Sequence, residues 1–148
     1  MSDHPISTTY LDKQIARAAA ALGGQVYDAA PLELVCAGFN MMMLFMRYTR
    51  GAANGDLWFI VEQSNDPVGG DWYQVAAVGQ AVVAANADNL DLIQRSIRSY
   101  GATAAGAQYF VYTLYLDEGV ERVRILCADS DAQAPGSAEI EAVFTMGG

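Results

Sequence analysis

The clearest hydrophobic pattern in this chain repeats every two residues. Ala138, Ile140, Ala142, Phe144 and Met146 fall on one side of an extended segment, with Glu139, Glu141, Val143 and Thr145 on the other. Glu121 to Cys127 does the same, setting Val123, Ile125 and Cys127 against Arg122, Arg124 and Leu126. Both read as strands with one face on a core and one toward water. Phe39 to Tyr48 (FNMMMLFMRY) and Tyr109 to Leu116 (YFVYTLYL) are apolar on both sides and require cover on both. Asp56 to Ser64 (DLWFIVEQS) follows Thr49 to Gly55, whose glycines and Asn54-Gly55 pair permit a reversal, so Phe39 to Ser64 reads as a β-hairpin with a mobile tip.

Asn65 to Asp71 is a second turn-rich loop, after which Trp72 to Ala76 resumes an extended pattern, and Asp117-Glu118-Gly119 and Ala134-Pro135-Gly136 punctuate the last strands. Turns at such short intervals predict an all-β fold, an antiparallel two-sheet β-sandwich of jelly-roll-like form with at most one or two short helices. Two stretches are ambiguous. Leu11 to Leu22 (LDKQIARAAAAL) has helix-forming composition, and Asn89 to Tyr100 can place Leu90, Ile93 and Ile97 on one helical face. The organisation expected is an N-terminal arm or short helix over residues 1–25 and a sandwich over 26–148.

Length and composition sharpen this picture. At 148 residues a single core suffices, and 53% hydrophobic with only 17% charged residues falls below the roughly 25% charge of ordinary soluble domains. Such a chain is expected to hide additional surface in an assembly. A formal charge of -9 and a pI near 4.3 repel phosphate backbones, and the arginines are scattered among acids, so direct nucleic-acid binding is not expected. No apolar run approaches the ~18 residues of a membrane span, and Met1 to Pro5 lacks the start of a secretion signal, so the expectation is a soluble chain made in a cytoplasm.

Little in the sequence resembles catalytic chemistry. His4 is the single histidine, which removes the Ser-His-Asp and Cys-His systems and His-based metal sites. Cys36 and Cys127 lack CxxC partners and read as buried free thiols. Glu62 is the one acid well inside an apolar strand, with no second carboxylate placed by spacing, and reads as an outward strand residue. Asp129, Asp131, Asn65, Asp66 and Asp71 carry oxygen ligands but not the spacing of a calcium loop; turn-forming roles explain them more simply. No phosphate-cradling glycine motif occurs. No catalytic residue, metal or cofactor is therefore assigned.

Two sets of side chains remain as binding candidates. In Phe39 to Tyr48, one side must be core and the other is covered by chain or by another subunit; Met42, Leu44, Met46 and Tyr48 are the interface candidate. Trp58, Trp72 and Tyr73 can stack on sugar rings, although Trp58 fits a core position as well.

Taken in order, Tyr48 to Gly55, Phe59 to Ser64, Asp71 to Gln74, Gly119 to Arg124, and Ala134 to Ser137 with Glu139 to Ala142 form a layout. It resembles the small β-sandwich virion structural proteins of tailed bacteriophages, which include capsid decoration (cement) proteins and head or tail accessory proteins. The resemblance spans roughly residues 26 to 146 and carries no catalytic signature. It implies a non-enzymatic virion protein, made in the host cytoplasm, that packs on other copies and on other virion proteins such as the major capsid protein, and the low charge density with doubly apolar strands leads to the expectation of a homo-oligomer, a trimer or higher. The alternative from another class is a carbohydrate- or receptor-binding module of a virion appendage.

Overall fold

A computed structural model describes residues 11–51, 55–79 and 106–146, and eight strands lie within them. They are β1 (Leu11–Ala21), β2 (Leu34–Val35), β3 (Met41–Thr49), β4 (Leu57–Ser64), β5 (Tyr73–Val78), β6 (Ala107–Tyr115), β7 (Arg122–Asp129) and β8 (Ser137–Thr145). Among the described residues there is no helix. The expectations for Asn89 to Tyr100, for His4 and for the tip at 52–54 fall outside those residues.

The strands form two four-stranded sheets, ordered β1-β8-β3-β6 and β2-β7-β4-β5, with every pairing antiparallel. The chain crosses from sheet to sheet at almost every connection, and this is the jelly-roll form of the two-sheet sandwich. Alternation makes the core. Met42, Leu44, Met46 and Tyr48 of β3 and Ala138, Ile140, Ala142 and Phe144 of β8 face Leu57, Phe59 and Val61 of β4 and Val123, Ile125 and Cys127 of β7. Phe59 meets Tyr112 of β6 edge-on across the gap at 5.2 Å. At roughly 25 cal/mol per Å² of apolar surface, an interior of this size is the main stabilising term.

The expected β3–β4 hairpin is absent. The two strands lie in opposite sheets, β3 between β8 and β6 and β4 between β7 and β5, so the chain passes from one sheet to the other between them. Glycine chemistry licenses a reversal without choosing the partner, and here the apolar inner sides of both strands are buried against each other. The crossover passes tight obstacles. A Cβ on Gly55 would lie 2.5 Å from the Tyr48 hydroxyl, and one on Gly136 would lie 1.9 Å from the Thr49 carbonyl oxygen.

Leu11 to Ala21, ambiguous in sequence, is an edge strand in eight register pairs with β8. Helix propensity is worth only tenths of a kcal/mol per residue, and closing the sheet outweighs it. The β4–β5 connection matches expectation, with Gly69 and Gly70 at positive φ in the turn.

Both cysteines are free and fully buried. Burial first, and the Glu121 carboxylate second, push the Cys36 thiol up to about 12 from an ordinary 9.0. Cys127 is raised as well, by burial and then by Asp28, with Arg17 opposing. Below pH 9 the thiols are protonated in folded and unfolded chains alike. Above it the unfolded chain ionises first, so stability falls by up to about 1.4 kcal/mol per pH unit per thiol until the folded value is reached. We predict a melting temperature that is flat from about pH 7 to 8.5 and falls steeply above 9, with neither thiol labelled in the native state at neutral pH. Rapid labelling of the native protein, or melting unchanged to about pH 11, would contradict this.

Candidate functional site

The outward faces of the two sheets differ. On the β2-β7-β4-β5 sheet most outer side chains are packed or paired within the chain, with Val35 exposed at the β2 edge. Glu62 receives the Arg124 guanidinium at 2.7 Å. Arg122, on the side of β7 expected to face water, is buried: it donates to the Asp66 carbonyl oxygen at 2.7 Å, to the Gly69 carbonyl oxygen and to the Glu33 carboxylate. The Trp72 ring lies over both guanidiniums, 4.2 Å from that of Arg124 and 4.8 Å from that of Arg122. The cluster fastens the 65–72 loop down on the sheet. Trp72→Ala should therefore loosen that loop, speed its amide exchange and cost about 1–2 kcal/mol, the scale of partly desolvated cation–π contacts. A change below about 0.3 kcal/mol would show that the ring adds nothing.

The proposed stacking set of Trp58, Trp72 and Tyr73 does not form one platform. Trp58 lies opposite Ala128 near the start of β4, and Tyr73 lies opposite Gln63 near its end. Five residues of strand at ~3.3 Å each separate them by roughly 17 Å. Trp58 is half-buried on the outer face, with its ring 6.5 Å from that of Tyr27 and its edge filling the space beside Gly79. One face of Trp72 is taken by the arginines, while Tyr73 is exposed.

The interface candidate also needs correction. Met42, Leu44, Met46 and Tyr48 are fully buried between the sheets, so no second subunit reaches them. Tyr48 donates from its hydroxyl to Asp129 at 2.9 Å, and burial together with that bond raises its pKa. Asp129 also accepts from the backbone amides of Gly136 and Asp131, both at 2.8 Å, and Asp131 in turn accepts from those of Gln133 and Ala134. These acids organise turns, and no cluster of three or more potential metal-ligating His, Cys, Asp or Glu side chains occurs among the described residues.

The outward side of β3 is the one available to a partner. Met41, Met43 and Phe45 share it with Val143 of β8, Leu11 and Ile15 of β1, and Tyr109, Val111 and Tyr115 of β6. Exposure is 57% for Leu11, 54% for Ile15, 43% for Phe45, 73% for Tyr109, 60% for Val111 and 77% for Tyr115. A groove of about 590 Å³ runs on this face, bordered by Ile15, Phe45, Tyr109, Val111, Glu139 and Glu141. The doubly apolar pattern of β6 is the sequence signal for it; Leu11 and Ile15 of β1 were obscured by the helix-like composition around them.

No known sequence family matches the chain, and no curated protein sequence does either. Among solved structures it superposes on the VP2 subviral particle of infectious bursal disease virus with a TM-score of 0.55 and 12% identity, covering 93% of this chain. The chain spans 32% of the length of that protein. A structure of the Gt strain of the same virus aligns over 93% of this chain and 30% of its own, at 8% identity and a TM-score of 0.39, too loose a match to carry an argument. The likeness is one of fold.

Proposed function

We propose that the chain is a non-enzymatic structural protein of a virus particle, and more finely a capsid decoration or cement protein of a tailed phage, forming a trimer or higher oligomer and contacting the shell. One observation carries this reading: the outer face of the β1-β8-β3-β6 sheet exposes the large apolar side chains Leu11, Ile15, Phe45, Tyr109, Val111 and Tyr115, whereas most outer side chains of the opposite sheet are packed or ion-paired. Jelly rolls serve as viral capsid domains and as lectins and cupins, so the fold does not choose among functions. The face does. Its six most exposed apolar residues present roughly 600–700 Å², taking about 150–250 Å² for each aromatic side chain, close to the ~800 Å² per partner of a specific interface. The superposition on a protein that forms a subviral particle supports the reading.

A net charge of -9 opposes association at low salt and apolar contact favours it. Sedimentation velocity is expected to show association that strengthens as salt is added, because screening removes the repulsion and leaves the apolar term. Purified shells should strengthen it further through multivalency. A strict monomer at every salt concentration that ignores shells but is retained by a glycan matrix would favour the carbohydrate- or receptor-binding alternative, with Trp58, Trp72 and Tyr73 as separate contacts.

A further inference from the structure

We propose that copies of this chain pair edge to edge through β6, the β1-β8-β3-β6 sheet continuing antiparallel into its counterpart across a two-fold axis at Tyr112. The inference rests on the assembling role proposed above and names the contact between copies, which leaves the apolar sheet face for the shell.

A sheet edge presents a row of unpaired amides and carbonyls, and folded proteins blunt such edges with bulges, short strands or charge. Three of the four edges here are blunted. β1 has two register shifts and carries Lys13 and Arg17, β2 is two residues long, and β5 is six residues long with one shift. The fourth, β6, is nine residues long and pairs with β3 in nine consecutive positions without a shift. It contains no charge and no proline, and has no second neighbour among the described residues.

Charge selects a second copy as the occupant. The chain holds 17 acids, none of them in β3 or β6. The one charge on those strands is Arg47, paired with Glu139 at 3.4 Å and lying 5.9 Å from the centre of the Tyr109 ring. This is the part of a strongly acidic molecule where two identical copies meet without repulsion.

The axis follows from the side chains. Centred on Tyr112, the pairing sets Tyr109 of each copy against Tyr115 of the other, Val111 against Thr113, and Phe110 against Leu114. Aromatic and β-branched cross-strand pairs of this kind are the favoured ones. Moving the axis to Val111 leaves Tyr115 opposite Ala107, and moving it to Thr113 sets Tyr109 against the Asp117 carboxylate. Only the Tyr112 axis pairs all six tyrosines of the two strands with one another, Tyr112 facing its own counterpart. The two-fold pair is then one contact within the larger assembly.

The test compares two charge-matched variants of the full chain by sedimentation and by hydrogen exchange at low and high protein concentration. Val111→Lys is expected to weaken self-association by at least about tenfold, because edge lysines block strand addition. Phe45→Lys, one strand inward on the same face, should retain it within about twofold. Amides of 107–115 should gain protection as concentration rises. A Tyr109→Cys/Tyr115→Cys variant should oxidise to a covalent dimer, since antiparallel neighbours lie at about 4.5–5.5 Å between Cα atoms, within disulfide reach. Equal loss in both lysine variants would place the contact on the sheet face, and protection independent of concentration would show the edge covered by the chain itself, residues 80–105 included. Either result overturns edge pairing and leaves the structural role standing. A chain that stays monomeric, with freely exchanging β6 amides at the highest concentration, overturns it too, and the structural role is then judged by shell binding alone.

Discussion

Asp129→Ala is expected to cost about 4 kcal/mol, a large share of the roughly 5–15 kcal/mol that holds a domain of this kind folded. The carboxylate is fully buried at the end of β7 and accepts from the Tyr48 hydroxyl and from the amides of Gly136 and Asp131. Alanine would strand these donors, at about 1–3 kcal/mol for each one left buried without a partner. The packing offers little relief, because Gly55 and Gly136 already bring backbone close to this site. Tyr48→Phe removes only one donor and should cost about 1–1.5 kcal/mol. Urea titration of the pair checks the ratio; a loss below about 1 kcal/mol for Asp129→Ala would mean that water replaces the carboxylate.

The second large effect separates the two sides of β3. Met42→Asp should abolish folding. Met42 is completely buried, so the change removes a core side chain worth about 2–5 kcal/mol and adds an unpaired charge besides. Phe45→Asp, three residues along and on the outward side, should melt within about 1 kcal/mol of the parent, the ordinary range for surface positions. Circular dichroism with thermal melting reads both. A folded Met42→Asp, or an unfolded Phe45→Asp, would reverse the assignment of the two faces.

That assignment shows where the sequence stops being informative. β7 and β8 were readable because Arg122, Arg124, Glu139 and Glu141 mark one side of each. On β3 both sides are rich in methionine, so alternation identified two faces without saying which was core, and the even-numbered set chosen as an interface is the interior. The difference is made by strands far away in the chain, β8 and β6, whose pairing turns Met42 inward. The same limit explains the missing hairpin: Asn54-Gly55 chemistry is local, but jelly-roll pairing joins β3 to strands more than 50 residues away. Trp58, Trp72 and Tyr73 looked like a platform because they are close in sequence and aromatic, yet the length of β4 separates them and Trp72 covers arginines that periodicity had placed in water. The exposed face was visible only in part, through the uncharged, doubly apolar β6.

Whether this sandwich belongs to an assembled particle is read most directly from its distribution when particles from cells carrying its gene are banded on a density gradient. The chain is expected to band with the major capsid protein at a fixed stoichiometry and to resist a high-salt wash, since its contacts are apolar and screening strengthens them. Recovery of the chain only from the soluble fraction, at every salt concentration, would contradict membership of a particle.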